Sequence, residues 1–415
     1  MSTFLQSVRQ AKAAMQSVVK PTPLDENLHL SERFGCSILL KREDLSPVRS
    51  YKLRGAYNFF RKALAEDPDR DHFVCASAGN HAQGFAWACA HFGRRGIIFM
   101  PTTTPAQKIT KTEVFGKDFI DIRLVGDIFD DCNTAALDFA KQTSAAFVPP
   151  FDHLDIIEGQ ATVALEILEQ EPAIDWLLLP VGGGGLSAGV IQVFADFSPQ
   201  TKIILVEPAE AASLHASLKA GERIKLETMS NFVDGAAVAQ IGKANFDVLA
   251  KHDQAAMRLV PENRLCTTIA EMLNIEGIVL EPAGALTIDA LADLDPEAIK
   301  GQKVVCLTSG GNFDFERLPE VKEKAMKYSG LKKYFILRLP QRPGALKDFL
   351  SLLGPEDDIS RFEYMKKSAR NFGSILIGLE TSRAENLPAF EQRMTENGFG
   401  FQDITDNDLL SNLIV

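Results

Sequence analysis

Ser50-Tyr51-Lys52-Leu53-Arg54-Gly55-Ala56, led in by Lys41-Arg42-Glu43-Asp44-Leu45-Ser46-Pro47, stands where a loop turns into a helical run containing Tyr57, Phe59, Phe60, Ala63 and Leu64. A lysine at a helix start meets partial positive charge, which favours the neutral amine that a Schiff-base or general-base lysine needs. Alone, Lys52 would read as an ordinary solvated lysine with its stem along the helix. Its surroundings argue otherwise. The apolar run Ser37–Lys41 before it reads as a strand, and the same strand-then-helix alternation recurs at 72–76, 96–101, 122–125, 176–181, 202–206 and 303–307. Such alternation, continuing to about residue 325, predicts a parallel α/β sheet. Ligands in these sheets bind beyond the carboxyl ends of the strands, so the loops just after strands carry the information.

The chain has 415 residues, enough for two or three domains, and 46% hydrophobic composition, enough for sizeable cores. A net charge of −11 argues against nucleic acid or an anionic membrane as a main partner. No apolar run approaches the roughly 18 residues a membrane span needs, and residues 1–20 lack the apolar centre of a signal peptide. The cysteines at 36, 75, 89, 132, 266 and 306 form neither a C-x-x-C pair nor a zinc spacing with histidine, and read as reduced thiols of a cytoplasmic protein.

Besides the Lys52 loop, three loops need explaining. Ser77-Ala78-Gly79-Asn80-His81-Ala82-Gln83-Gly84 offers small residues and free N–H groups at a helix start, a setting for a carboxylate. His81 there reads as a structural hydrogen-bonder rather than a base. Val181-Gly182-Gly183-Gly184-Gly185-Leu186-Ser187-Ala188 joins a buried strand to a helix, and its exposed N–H groups suit phosphate. It lacks the lysine of a nucleotide P-loop. A dinucleotide fingerprint is the rival, since Gly183, Gly185 and Ala188 fit G-x-G-x-x-A and Glu207 ends the next strand; it leaves Lys52 and Asn80 without a task. The last loop, Leu307-Thr308-Ser309-Gly310-Gly311-Asn312, places a hydroxyl that reads either as a ring-nitrogen partner or as a helix-capping serine.

A reactive lysine, a carboxylate site, a phosphate cradle and a ring-nitrogen partner are the parts of a pyridoxal 5′-phosphate enzyme. With Glu281-Pro282-Ala283-Gly284-Ala285 added, the motifs over the first 325 residues resemble the threonine dehydratases of the fold-type II pyridoxal-phosphate family. That resemblance implies a tryptophan-synthase-β-like fold of two parallel or mixed α/β subdomains, the smaller within about 53–155, in a catalytic domain spanning 1–326. It implies that Lys52 bonds the cofactor covalently and acts as general base, that Tyr51 lies against the ring, and that Asn80 binds the ring hydroxyl. Gly182, Gly183, Gly184, Gly185 and Leu186 hold the phosphate, Ser309 faces the pyridine nitrogen, and Ser77, Ala78, Gly79, Asn80 and His81 form the substrate-carboxylate loop. Two departures are Tyr51, often Phe in the family, and Arg49, often apolar. Ala78 stands where related serine racemases carry a second acid/base serine, which favours dehydration. Their divalent-ion site resembles Glu207, Ala211 and Ser213, but the acidic member is missing at Ser213, so no divalent metal is expected.

The resemblance further implies conversion of L-threonine to 2-oxobutyrate and ammonia in isoleucine biosynthesis by a homodimer or homotetramer. L-serine or threo-3-hydroxyaspartate dehydration on the same scaffold is the alternative enzyme, and a catalytically inert amino-acid sensor the alternative class. Beyond a polar connector at 327–333, the tail reads as strands at 334–339, Ile359–Lys366 and 374–379, a short strand near Phe401, and helices at 345–353 and 387–397. This βαββαβ order predicts a ferredoxin-like unit over 327–415. It resembles the ACT-like domain of shorter biosynthetic threonine dehydratases, which senses branched-chain amino acids. By that pattern Arg342, Gly344 and Leu346 line the effector loop; an oligomerisation module that binds nothing is the other reading.

Overall fold

Leu177, Leu178 and Leu179 are fully buried, so the strand that carries them is covered on both faces, and the rest of the first sheet is laid out around it. The computed structural model describes residues 2–365 and 372–407 and divides into two units, Met1–Asp314 and Phe315–Val415. The strands of the first unit are β1 (Leu24–Glu26), β2 (Ser37–Arg42), β3 (His72–Ala76), β4 (Arg95–Met100), β5 (Ile120–Leu124), β6 (Ala146–Phe147), β7 (Trp176–Pro180), β8 (Lys202–Pro208), β9 (Met257–Val260) and β10 (Lys303–Thr308).

The alternation does not build one sheet. It builds two. A six-stranded sheet runs β1-β2-β10-β7-β8-β9, parallel except for β1, which pairs antiparallel with β2. A four-stranded parallel sheet runs β5-β4-β3-β6 and is inserted in the chain between β2 and β7. The larger core packs β7, β8 and β10 against the helices Leu154–Gln170 and Gly185–Phe197. The smaller has an aromatic centre, in which Phe60 stacks on Phe73 with ring centroids 3.9 Å apart and meets Phe85 edge-on at 5.6 Å. Phe60 lies on the Lys52–Glu66 helix, so the helix that begins at the lysine is rooted in the smaller core. No helix among the described residues is long and apolar enough to cross a membrane.

The second unit opens with a helix, Leu318–Tyr328, followed by β11 (Lys332–Pro340), β12 (Asp357–Met365), β13 (Phe372–Thr381) and β14 (Gly400–Asp403). Helices Ala345–Leu350 and Asn386–Glu396 complete the βαββαβ order. Its sheet, β12-β13-β11-β14, is antiparallel throughout, the ferredoxin-like arrangement. Phe335, Leu337, Phe349, Ile377 and Phe390 form the core. Lys366, expected to end the second strand of this unit, lies outside the described residues. The stretch 327–333 is ordered structure rather than a free connector. Lys327 lies in the helix, and Lys332 is buried between Glu323 at 2.5 Å and Glu380 at 2.8 Å. Composition alone reads such lysines as solvated, because their partners lie elsewhere in the chain.

Candidate active site

The Lys52, glycine and Ser309 loops follow β2, β7 and β10 of the large sheet, and the 77–84 loop, after β3 of the smaller sheet, reaches the Ser309 loop through the Asn80–Asn312 hydrogen bond. Lys52 is the first residue of its helix, and its Nζ donates to the Pro150 carbonyl at 3.0 Å. Arg49, in the left-handed region at φ 60°, turns the chain into the helix. The next residues bind the Ser309 loop: Tyr51 N–H donates to the Ser309 carbonyl at 3.1 Å, and Ser50 forms a bridge with Gly310. Ser309 is therefore buried beside Tyr51, whose ring centroid lies 5.3 Å from Lys52 Nζ. Enclosure by protein lowers the Lys52 pKa to about 8, against the opposing pull of Glu281. Burial, rather than the helix end, is the first cause of the lowered value.

The 77–84 loop leads into the helix Asn80–Phe92. Asn80 is fixed on both sides: its Nδ2 donates to Glu281 Oε1 at 2.7 Å, and its Oδ1 accepts from Asn312 Nδ2 at 2.7 Å. One Nδ2 hydrogen remains for a ligand. His81 is buried and its Nε2 donates to the Val148 carbonyl at 2.9 Å. Burial, and then the Lys52 charge, lower its pKa to about 3, so it is a neutral structural group. Only its backbone is left to serve a carboxylate.

The glycine run turns from β7 into the helix Gly185–Phe197. A Cβ on Gly182 would approach the Ala236 backbone to 2.9 Å, one on Gly183 would enter the Phe151 ring, and Gly184 has φ 87°. This loop accepts glycine alone along its packed side. It presents backbone N–H groups where a side chain would otherwise stand, as phosphate binding requires. Glu207 does not serve the rival dinucleotide reading. It is fully buried and accepts N–H bonds from Leu214 and His215, both at 2.8 Å. Its carboxylate caps the following helix, although burial raises its pKa to about 8.

Glu281 is a site residue the sequence reading passed over. Its motif stood out, but a carboxylate after an apolar run looks like any helix N-cap. In the structure it is buried against Asn80, with its pKa raised to about 7 by burial and by Asp234. A second omission is the buried ion cluster behind Lys52. Arg54 donates from Nε to Glu43 Oε2 at 2.8 Å, and from Nη1 to Glu166 Oε1 at 2.6 Å. Lys41 Nζ donates to Glu166 Oε2 at 2.9 Å. Lys108 of the smaller subdomain pairs with Asp234 of the larger at 2.5 Å. An open groove of about 530 Å³ lined by Arg9, Lys12 and Phe197 shares no residue with this site.

Arg342, Gly344 and Leu346 belong to the second unit. They line a cavity of about 480 Å³ with Leu339, Leu350 and Tyr364. Gly344 takes φ 84° at the start of its helix, and Arg342 Nη2 is paired with Asp348 Oδ2 at 2.7 Å.

A neutral-prone lysine, a packed glycine loop at a helix start, an oriented amide and a buried serine all fit pyridoxal phosphate, and fold and site together define a fold-type II enzyme dependent on that cofactor. Residues 15–310 match the family described as pyridoxal-phosphate dependent enzyme, and residues 323–414 match the C-terminal regulatory domain of threonine dehydratase. The chain is 46% identical over 412 residues to the biosynthetic L-threonine dehydratase IlvA of Bacillus subtilis, covering 98% of this chain and 96% of that protein. It is 40% identical over 414 residues to the protein of the same name from Staphylococcus aureus strain bovine RF122, covering 98% and 97%. Threonine deaminase isoform 2 from Solanum lycopersicum superposes with a TM-score of 0.72 at 38% identity, over 78% of this chain and 93% of that one. The chain belongs to the biosynthetic threonine dehydratase family.

Proposed function

We infer that the protein is a threonine ammonia-lyase, converting L-threonine to 2-oxobutyrate and ammonia as the first step of isoleucine biosynthesis. The observation that carries this reading is the half-buried Lys52 amine, lowered to about 8 and held against the Pro150 carbonyl beside Tyr51 and the Ser309 loop. Bound pyridoxal phosphate supplies an electron sink that acidifies the Cα–H of the amino acid joined to it. Lys52 Nζ would be the group that holds the cofactor, and its neutral amine would be the general base for that proton. Asn80, locked by Glu281 and Asn312, directs its remaining N–H to the ring hydroxyl. Tyr51 would back the ring, Ser309 would face its nitrogen, and the backbone of 182–186 would hold the phosphate. A serine hydroxyl cannot keep that nitrogen protonated as a carboxylate would, which suits elimination. The 77–81 loop takes the substrate carboxylate, though not through the Ser77 N–H, which donates to the Phe99 carbonyl at 3.1 Å, nor the Gly79 N–H, which donates to Ser77 Oγ at 3.2 Å; Ala78 supplies no acid on the opposite face of Cα.

Residues 1–326 carry the chemistry and 327–415 the control, through a branched-chain amino acid in the 480 Å³ cavity beside Arg342, Gly344 and Leu346. The protein works in the cytoplasm as a homodimer or homotetramer; its six buried cysteines, none joined in a disulfide, agree with a reducing compartment. The test is turnover of L-threonine, L-serine and both hydroxyaspartate diastereomers, with and without isoleucine. L-threonine is expected to be the best substrate, and isoleucine to inhibit the full chain but not a soluble chain truncated near residue 330. A preference for hydroxyaspartate overturns the substrate assignment, and full isoleucine sensitivity of the truncated chain moves the effector site to the catalytic half.

A narrower prediction concerns the effector loop. Gly344→Val forces a β-branched residue to φ 84°, a conformation only glycine adopts without strain. Inhibition by isoleucine should weaken about tenfold or more, with uninhibited turnover unchanged, as read from inhibition curves. Equal inhibition of both proteins removes this loop from the effector site.

A further inference from the structure

Asn245 is wholly buried, lies far in sequence from every motif of the site, and bonds the glycine loop from behind. Its Nδ2 donates to the Gly183 carbonyl at 2.6 Å and reaches the Phe151 carbonyl at 3.3 Å. The Gly242 N–H adds a bond to the same Gly183 carbonyl at 3.2 Å. That carbonyl and the Gly184 N–H belong to one planar peptide, in which they point in opposite directions. Drawing the oxygen back onto Asn245 and Gly242 therefore turns the Gly184 N–H outward. Gly184 completes the turn at φ 87°, with Asn245 Cβ only 3.0 Å from where a side chain would begin.

The segment 150–152 ties this arrangement to the lysine. Pro150 accepts from Lys52 Nζ, and the Phe151 ring packs on Gly183. Asp152 accepts the N–H groups of Lys243 at 2.8 Å and Ala244 at 2.9 Å, anchoring the Lys243–Leu249 helix that carries Asn245. One continuous set of contacts thus joins the reactive amine, the glycine loop and the helix behind it.

We propose that Asn245, anchored by Asp152, is a positioning residue that sets the peptide orientation of the glycine loop and so the protein's grip on the cofactor phosphate. The proposal rests on the reading that this loop binds phosphate. Asn245 touches neither substrate nor cofactor; it acts through the Gly183–Gly184 peptide.

The test uses the full-length chain, freed of cofactor and titrated with pyridoxal 5′-phosphate and, separately, with pyridoxal, which keeps the ring and aldehyde but lacks the phosphate. Asn245→Ala should raise the Kd for pyridoxal 5′-phosphate about tenfold, the effect of losing one oriented hydrogen bond, and leave the Kd for pyridoxal unchanged. Asn245→Asp keeps the shape but turns an acceptor toward the Gly183 carbonyl, so its selective loss should be larger. Asp152→Asn, made in case both Asn245 variants fold poorly, should give a smaller loss with the same selectivity. Weakening of both ligands in parallel means Asn245 is only a packing residue, and undiminished discrimination in all three variants also overturns the proposal. A wild-type protein that does not discriminate between the two ligands instead refutes the phosphate reading of the loop, a separate failure.

Discussion

Lys52→Ala is expected to abolish turnover of L-threonine and the visible absorbance of lysine-bound cofactor, while leaving the protein folded. Loss of the proton-transfer role alone accounts for about 10²–10⁴-fold in rate, and loss of covalent attachment adds to it. The structural cost is small. Alanine is a good residue for a first helical turn, and only the bond from Nζ to the Pro150 carbonyl disappears. Absorbance, turnover and thermal midpoint measured on the same sample separate the chemical effect from the structural one. A variant with a normal rate removes Lys52 from the mechanism, and one that fails to fold makes the lysine structural.

Arg54→Leu is expected to destabilise the fold by about 3–5 kcal/mol, because it leaves Glu43 and Glu166 as buried carboxylates without their shared cation. Arg54, Glu43 and Glu166 are all buried, so water does not replace the lost partner. Arg54→Lys keeps the charge but cannot bridge both carboxylates with a planar fork, and should fall between wild type and Leu. The cluster also predicts an acid dependence. Burial would raise the Glu166 pKa, but Arg54 and then Lys41 hold it below the ordinary 4.5. Its contribution to stability is thus complete above pH 4.5 and is lost as pH falls through the lowered value. Urea unfolding across this range measures both effects. A loss under about 1 kcal/mol for Arg54→Leu would mean that the two carboxylates find other partners or take up protons at little cost.

What was legible in the sequence was whatever chemistry forces into one short stretch. Lys52, Asn80 and the four glycines stand in loops just after strands, where backbone must approach a ligand and side chains must be small. The tail was legible because its short strands and helices follow one another in the βαββαβ order of a known unit. Partnerships between distant residues were not. Arg54 and Glu166 lie 112 positions apart, and Asn80 and Glu281 lie 201 apart. Charged residues carry no mark of burial until the fold supplies a partner, so Glu281 and the Arg54 cluster read as surface or as caps. Nor does alternation say where one sheet stops and another starts, since both are built from the same short apolar strands.

The position of β10 has a consequence for how the chain comes off the ribosome. This strand lies in the interior of the large sheet, pairing with β2 on one side and β7 on the other, yet it begins only at residue 303. The smaller sheet holds all its strands once residue 147 has emerged. The larger sheet must wait, with β2 and β7 separated by a gap, until more than 150 further residues have been added, a spacing of the kind that makes parallel pairing slow. Nascent chains arrested before residue 303 should therefore protect residues 72–147 from protease while leaving 176–208 open to cleavage, and the protection of β7 should appear in one step when β10 clears the exit tunnel.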